Sequence, residues 1–158
     1  MSTAHPQAVI DALYKGDLKA IERYVNEENV NWVNEDGDSL LSLAATAGDL
    51  NMRVVRLLIK HGADVNIRLR EGETLLHFAA HLLRKDLASA LLRAGCNPNA
   101  ANDAGQTALS KVLFAFNPKA DLVGILLEHG ADPTMKQPSG ESALELADRT
   151  GQRDLFQR

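Results

Sequence analysis

Aromatic side chains are scarce, at 4% of 158 residues, with a single tryptophan, Trp32. So few rings do not fill a β-sandwich or a small β-barrel, so the interior must be built from Leu, Ala and Val. The one cysteine, Cys96, cannot close an intramolecular disulfide, which excludes a disulfide scaffold. No apolar run approaches the roughly 18 residues of a membrane span. The opening MSTAHPQAVIDALYKGD lacks a basic stretch followed by an apolar one, so no secretory signal is expected. No asparagine lies in an N-x-S/T pattern. Positive charge is not in excess either: 17 Lys and Arg stand against 21 Asp and Glu, a net charge of −4. That balance argues against a protein whose task is to hold nucleic-acid phosphates. The expectation is a soluble, cytoplasmic protein of a reducing compartment, with neither nucleic acid nor membrane among its partners. Apolar residues reach 45%, enough for a core, and the length suits one domain.

What is present is a repeat. GDSLLSLAA from Gly37, GETLLHFAA from Gly72, GQTALSKVL from Gly105 and GESALELAD from Gly140 align without gaps. A second signature follows the first three, as LLIKHGADVN from Leu57, LLRAGCNPN from Leu91 and LLEHGADPT from Leu126. Two motifs recurring in one register define a structural unit. Ser39, Thr74, Thr107 and Ser142 stand where a helix would begin and can cap its open N–H groups. Leu41, Leu76, Leu109 and Leu144 follow at core spacing, and Ala44, Ala45, Ala79 and Ala80 allow close helix approach. A second helix runs through Val54–Leu58, Leu87–Leu92 or Leu122–Leu127, and Gly62, Gly95 and Gly130 stop it. The polar residues after each stop suit a hairpin-like finger.

This layout resembles the ankyrin repeat, a unit of about 33 residues with two antiparallel helices and a projecting loop. The resemblance implies an all-α repeat solenoid of ankyrin helix-turn-helix pairs with short β-hairpin fingers. It divides one domain, residues 1–158, into a capping helix pair over 5–30, repeats over 31–65, 66–98 and 99–133, and a truncated repeat over 134–158. The family's Thr-Pro-Leu-His tetrad stands here as SLLS, TLLH, TALS and SALE, without proline, and only His77 keeps the histidine. Two extra residues fall between the helices near Asn51-Met52 and again near Asn117-Pro118, on the side opposite the fingers.

Little suggests catalysis, and no cofactor is expected. His77 and His81, at i and i+4 on one helix, have a zinc-compatible spacing. A metal-dependent enzyme built on them is the remote alternative, because the Glu of H-E-x-x-H and a third ligand are missing. The resemblance instead gives His77 hydrogen bonds to the neighbouring finger. Cys96 replaces the alanine of Ala63 and Ala131 and reads as a packed small residue.

The resemblance implies a non-catalytic module that binds another protein through finger tips and the exposed side of the inner helices. It would act as an inhibitor or adaptor and be monomeric when free. Carried onto this sequence, the partner-binding positions are Glu35, Asp36 and Asp38; Arg70, Glu71, Glu73, His81 and Leu82; Asp103, Gln106 and Phe114; and Glu141, with Thr46, Ala115, Ser139 and Arg149 beside them. Seven acids against two arginines in this set imply a partner with a basic patch, and Phe114 with Leu82 an apolar centre. In a bacterium such a chain could be a cytoplasmic immunity protein that neutralises a toxin by covering its basic cleft. Phe116 lies beside the second inserted loop, and Trp32 is expected to pack against the capping helices.

Overall fold

In the computed structural model, residues 6–47, 51–115 and 117–157 are described. Among them are nine α-helices and no β-strand. They fall into two compact units, Met1–Ile67 and Arg68–Arg158.

The first unit holds two helix pairs, α1 (Pro6–Lys15) with α2 (Leu18–Tyr24), and α3 (Leu40–Thr46) with α4 (Met52–Lys60). Gly16, at φ +62°, turns the chain after α1, and the Asp17 carboxylate then caps α2 by accepting from the Ala20 N–H at 3.0 Å. Helix α1 packs on α3 and α2 on α4. Between them Ile21, Leu40, Leu41, Val55 and Leu58 are buried. Val33 and Ser39 form one isolated antiparallel bridge at the base of the finger. Its tip is closed by the Asn34 side chain, which accepts from the Asp38 N–H at 2.8 Å. Trp32 is half-buried.

The second unit contains α5 (Leu75–His81), α6 (Lys85–Arg93), α7 (Ala108–Phe114), α8 (Ala120–Glu128) and α9 (Ala143–Thr150). The inner helices α5, α7 and α9 pack in series, and α6 packs on α8. A 3-10 turn, Arg153–Phe156, lies against α8 and α9, where the sequence suggested a shortened outer helix. Leu76 and Leu109 are buried, whereas Leu144 in the last repeat is half-buried.

All four hydroxyls assigned as caps perform that role: Ser39, Thr74, Thr107 and Ser142 each accept a backbone N–H from three residues on. The expected hairpins are reduced to single bridges, Val33–Ser39, Arg68–Thr74 and Lys136–Ser142. The connections α3–α4 and α7–α8 have five residues against three for α5–α6, as the inserted residues required. Phe116 lies outside the described residues. Cys96 is buried behind Gly95, matching Ala63 and Ala131 in the equivalent slots.

Candidate functional site

The second finger departs from the first. Where finger one has Asn34, finger two has Leu69, which offers no side-chain acceptor. Its tip becomes a 3-10 turn, Arg70–Gly72, with Glu71 held at φ +58°, ψ 23°. This left-handed geometry is strained for a residue with a side chain. Gly72 follows at φ +67°, and a Cβ there would collide with the Asp103 carboxylate.

Fingers two and three are tied together. The Asp103 N–H donates to the Glu71 carbonyl at 2.9 Å, and Arg68 Nη1 donates to the carbonyls of Gly72 (2.8 Å) and Ala101 (3.1 Å). His77 is fully buried beneath them. Its Nδ1 accepts from the Thr74 N–H at 3.0 Å, so the proton sits on Nε2, which donates to the Gln106 carbonyl at 2.8 Å. Burial depresses the His77 pKa, only partly offset by the bond to Gln106 and the charge of Glu73. With both ring nitrogens occupied, His77 is no half of a metal pair with His81. No cluster of three potential metal ligands occurs among the described residues.

The sequence-derived partner set divides by environment. Glu35, Asp36, Arg70, Glu71, His81, Leu82, Asp103 and Phe114 are exposed, whereas Asp38, Glu73, Gln106 and Glu141 are half-buried. Two of the seven acids are already engaged. Glu73 pairs with Lys111 and accepts from Asn102 Nδ2 at 3.0 Å. Burial pushes the Glu73 pKa up, but the bonds from Lys111 and Asn102 outweigh it and hold it below the usual value. Glu141 takes two bonds from Arg149, at 2.8 and 2.9 Å, which lower its pKa.

The sequence-derived set omitted two bases, Arg68 and Lys111. With them and with Lys136, Glu145 and Asp148 of the last repeat, the finger and inner-helix residues of the second unit comprise five bases, Arg68, Arg70, Lys111, Lys136 and Arg149, against six acids, Glu71, Glu73, Asp103, Glu141, Glu145 and Asp148. The acid excess there falls to one. Residues 1–67 contain six Lys and Arg against ten Asp and Glu, and residues 68–158 contain eleven of each. Glu35, Asp36 and Asp38 therefore account for most of the surplus at finger and inner-helix positions.

One position repeats without regard to chemistry. Seven residues after each cap stand Thr46, His81, Phe114 and Arg149, all exposed. Elsewhere in the first unit, Tyr14 edges a groove of about 440 Å³ with Leu13, Leu43, Ala47, Asn51 and Val54 in its walls.

Capped inner helices and longer outer helices, repeated in pairs with a finger before each inner helix, define a helical repeat protein that presents side chains from a fixed frame. The chain belongs to the ankyrin repeat family: the family model described as ankyrin repeats, in three copies, matches residues 9–102. It is 34% identical over 128 residues to the E3 ubiquitin-protein ligase KEG of Arabidopsis thaliana, covering 78% of this chain and 8% of that protein. It is 34% identical over 98 residues to protein phosphatase 1 regulatory subunit 27 of Mus musculus, covering 61% and 62%. Over 111 residues it is 34% identical to BCL-6 corepressor-like protein 1 of Homo sapiens, covering 70% and 6%. The chain thus spans less than two thirds of each of these relatives. The family is in general a non-catalytic protein-interaction domain, and protein interaction is the role it assigns to this chain. No helix among the described residues is long and apolar enough to cross a membrane.

Proposed function

We propose that the chain binds a partner protein through its finger tips and the exposed edge of its inner helices, as an inhibitor or adaptor. The observation that carries this reading is the recurrent exposed position, Thr46, His81, Phe114 and Arg149, on helices whose other faces are buried. At one of these positions stands a phenylalanine 59% exposed, a costly choice for a surface without a partner. A relative named as a regulatory subunit of a phosphatase agrees with a role exerted by binding. Among the described residues no ion pair involves Glu35, Asp36 or Asp38, and they supply a field that steers a basic surface. Affinity capture from the native cells, compared between the wild type and Phe114→Ala or Glu35→Lys/Asp36→Lys/Asp38→Lys, tests the reading. Loss of one protein species with either variant supports it. A captured set unchanged by both refutes it.

A further inference from the structure

The two sides of the proposed recognition are not chemically alike. Among the described residues of the second unit, the two largest exposed apolar residues at the ends of inner helices are Phe114 (59% exposed) and Leu82 (45%). Leu82 ends α5 and Phe114 is the last residue of α7, and these helices pack side by side. Helix axes so packed lie about 8–10 Å apart, close enough for one incoming segment to cover both ends. The second unit is neutral, with eleven Lys and Arg against eleven Asp and Glu, and all five ion pairs among the described residues lie within it. Lys111 holds Glu73, Arg149 holds Glu141 through two bonds, and Arg68 is spent on two backbone carbonyls. A basic patch arriving here meets no net field and must compete with a cation already in place for each of those carboxylates.

We propose that the surface around Leu82 and Phe114 docks an uncharged apolar segment of the partner, one that offers a large aliphatic or aromatic side chain and no cluster of Lys or Arg. This rests on the protein-binding reading and narrows it: attraction of basic surfaces belongs to Glu35, Asp36 and Asp38, and apolar capture to the second unit. The complementarity is one of neutrality, a self-paired rim around two exposed apolar side chains. Such a rim excludes water without demanding a counter-charge. The fingers beside it are stapled by the Asp103–Glu71, Arg68–Ala101, Asn102–Glu73 and His77–Gln106 bonds, so little ordering is left to be done on binding.

The test is selection of a displayed library of short random peptides on the full chain. Synthetic versions of the enriched peptides are then titrated by fluorescence anisotropy. The variants are Phe114→Ser, Leu82→Ser and the triple Glu35→Gln/Asp36→Asn/Asp38→Asn; circular dichroism confirms that each is folded, as expected of exposed sites. The expected result is enrichment of apolar residues without enrichment of Lys or Arg. Affinity should fall on the order of tenfold or more in Phe114→Ser and in Leu82→Ser. It should change little with salt and little in the triple variant. Absence of enrichment, basic consensus peptides, or affinity that survives both serine variants overturns the proposal. Peptides that depend on the finger-one acids alone overturn it while leaving the protein-binding reading intact. Peptides indifferent to all variants overturn both.

Discussion

Replacing His77 by leucine tests the structural role of the buried imidazole against the alternative of an idle core residue. The side chain is fully buried, donates to the Gln106 carbonyl at 2.8 Å and accepts from the Thr74 N–H at 3.0 Å. Gln106 keeps a second donor, the Asn102 N–H at 2.9 Å, so losing the first bond costs about 0.5–1.5 kcal/mol. The Thr74 N–H has no such substitute, and leaving it buried and unpaired costs about 1–3 kcal/mol. Leucine is similar in bulk, so little cavity is added, and the destabilisation should be about 2–4 kcal/mol near neutral pH. Urea denaturation followed by far-UV circular dichroism measures it.

The pH dependence fixes the cause. Burial lowers the His77 pKa below its ordinary 6.5, and protonation would remove the acceptor that Thr74 needs. Above 6.5 both folded and unfolded chains are neutral at this site. As the pH falls below 6.5, the unfolded chain takes a proton that the folded chain refuses. Wild-type stability is lost through that window, down to the depressed folded value. The leucine variant has no such loss, so the gap between the two proteins should narrow from pH 7.5 to about pH 5, before Glu73 begins to titrate. A deficit under about 1 kcal/mol, or one constant across that range, would refute the assignment of the imidazole as a neutral inter-finger bridge.

Lys111→Met should destabilise by about 1–2 kcal/mol, since the Lys111 and Glu73 side chains are only about one-fifth exposed, and adding Glu73→Gln should recover part of it in a double-mutant cycle. Glu71→Gly should raise the urea midpoint, worth about 0.5–1 kcal/mol, because glycine meets φ +58° without strain; a lowered midpoint would mean the side chain is stabilising. Asn31→Ala and Asn99→Ala should each cost about 0.5–1.5 kcal/mol, because each side chain spans a helix-stop carbonyl and an aspartate N–H one repeat on, Gly62 with Asp64 and Gly130 with Asp132. Within the second unit, amide exchange should be fastest from Thr150 onward, where a 3-10 turn replaces a full helix, and slow exchange there comparable to residues 74–92 would contradict this.

The helix starts were legible because a cap is a local event. Ser39, Thr74, Thr107 and Ser142 act on residues three positions away, and their order survives in one line of sequence. The inserted residues were legible for the same reason, as a change in spacing. The charge balance was not. Glu73 and Lys111 lie 38 positions apart, in different repeats, and meet only once α5 and α7 are packed. Counting acids at finger positions alone therefore overstated the field of the second unit. The strained tip at Glu71 left a faint trace, Leu69 where the first finger has Asn34, readable once the Asn34–Asp38 bond is known. The single bridges in the fingers have no sequence signal that distinguishes them from longer hairpins.

The burial of Cys96 makes the protein its own clock. The thiol lies just beyond the left-handed turn at Gly95, and its backbone N–H is tied to the Leu91 carbonyl at 3.0 Å. At 4% exposure, an alkylating reagent reaches it when the end of α6 opens. Because the chain contains one cysteine, each molecule gains one mass increment or none. When reclosing outpaces alkylation, the ratio of the observed rate to that of the unfolded chain gives the opening free energy at this joint, with no label added and no residue changed.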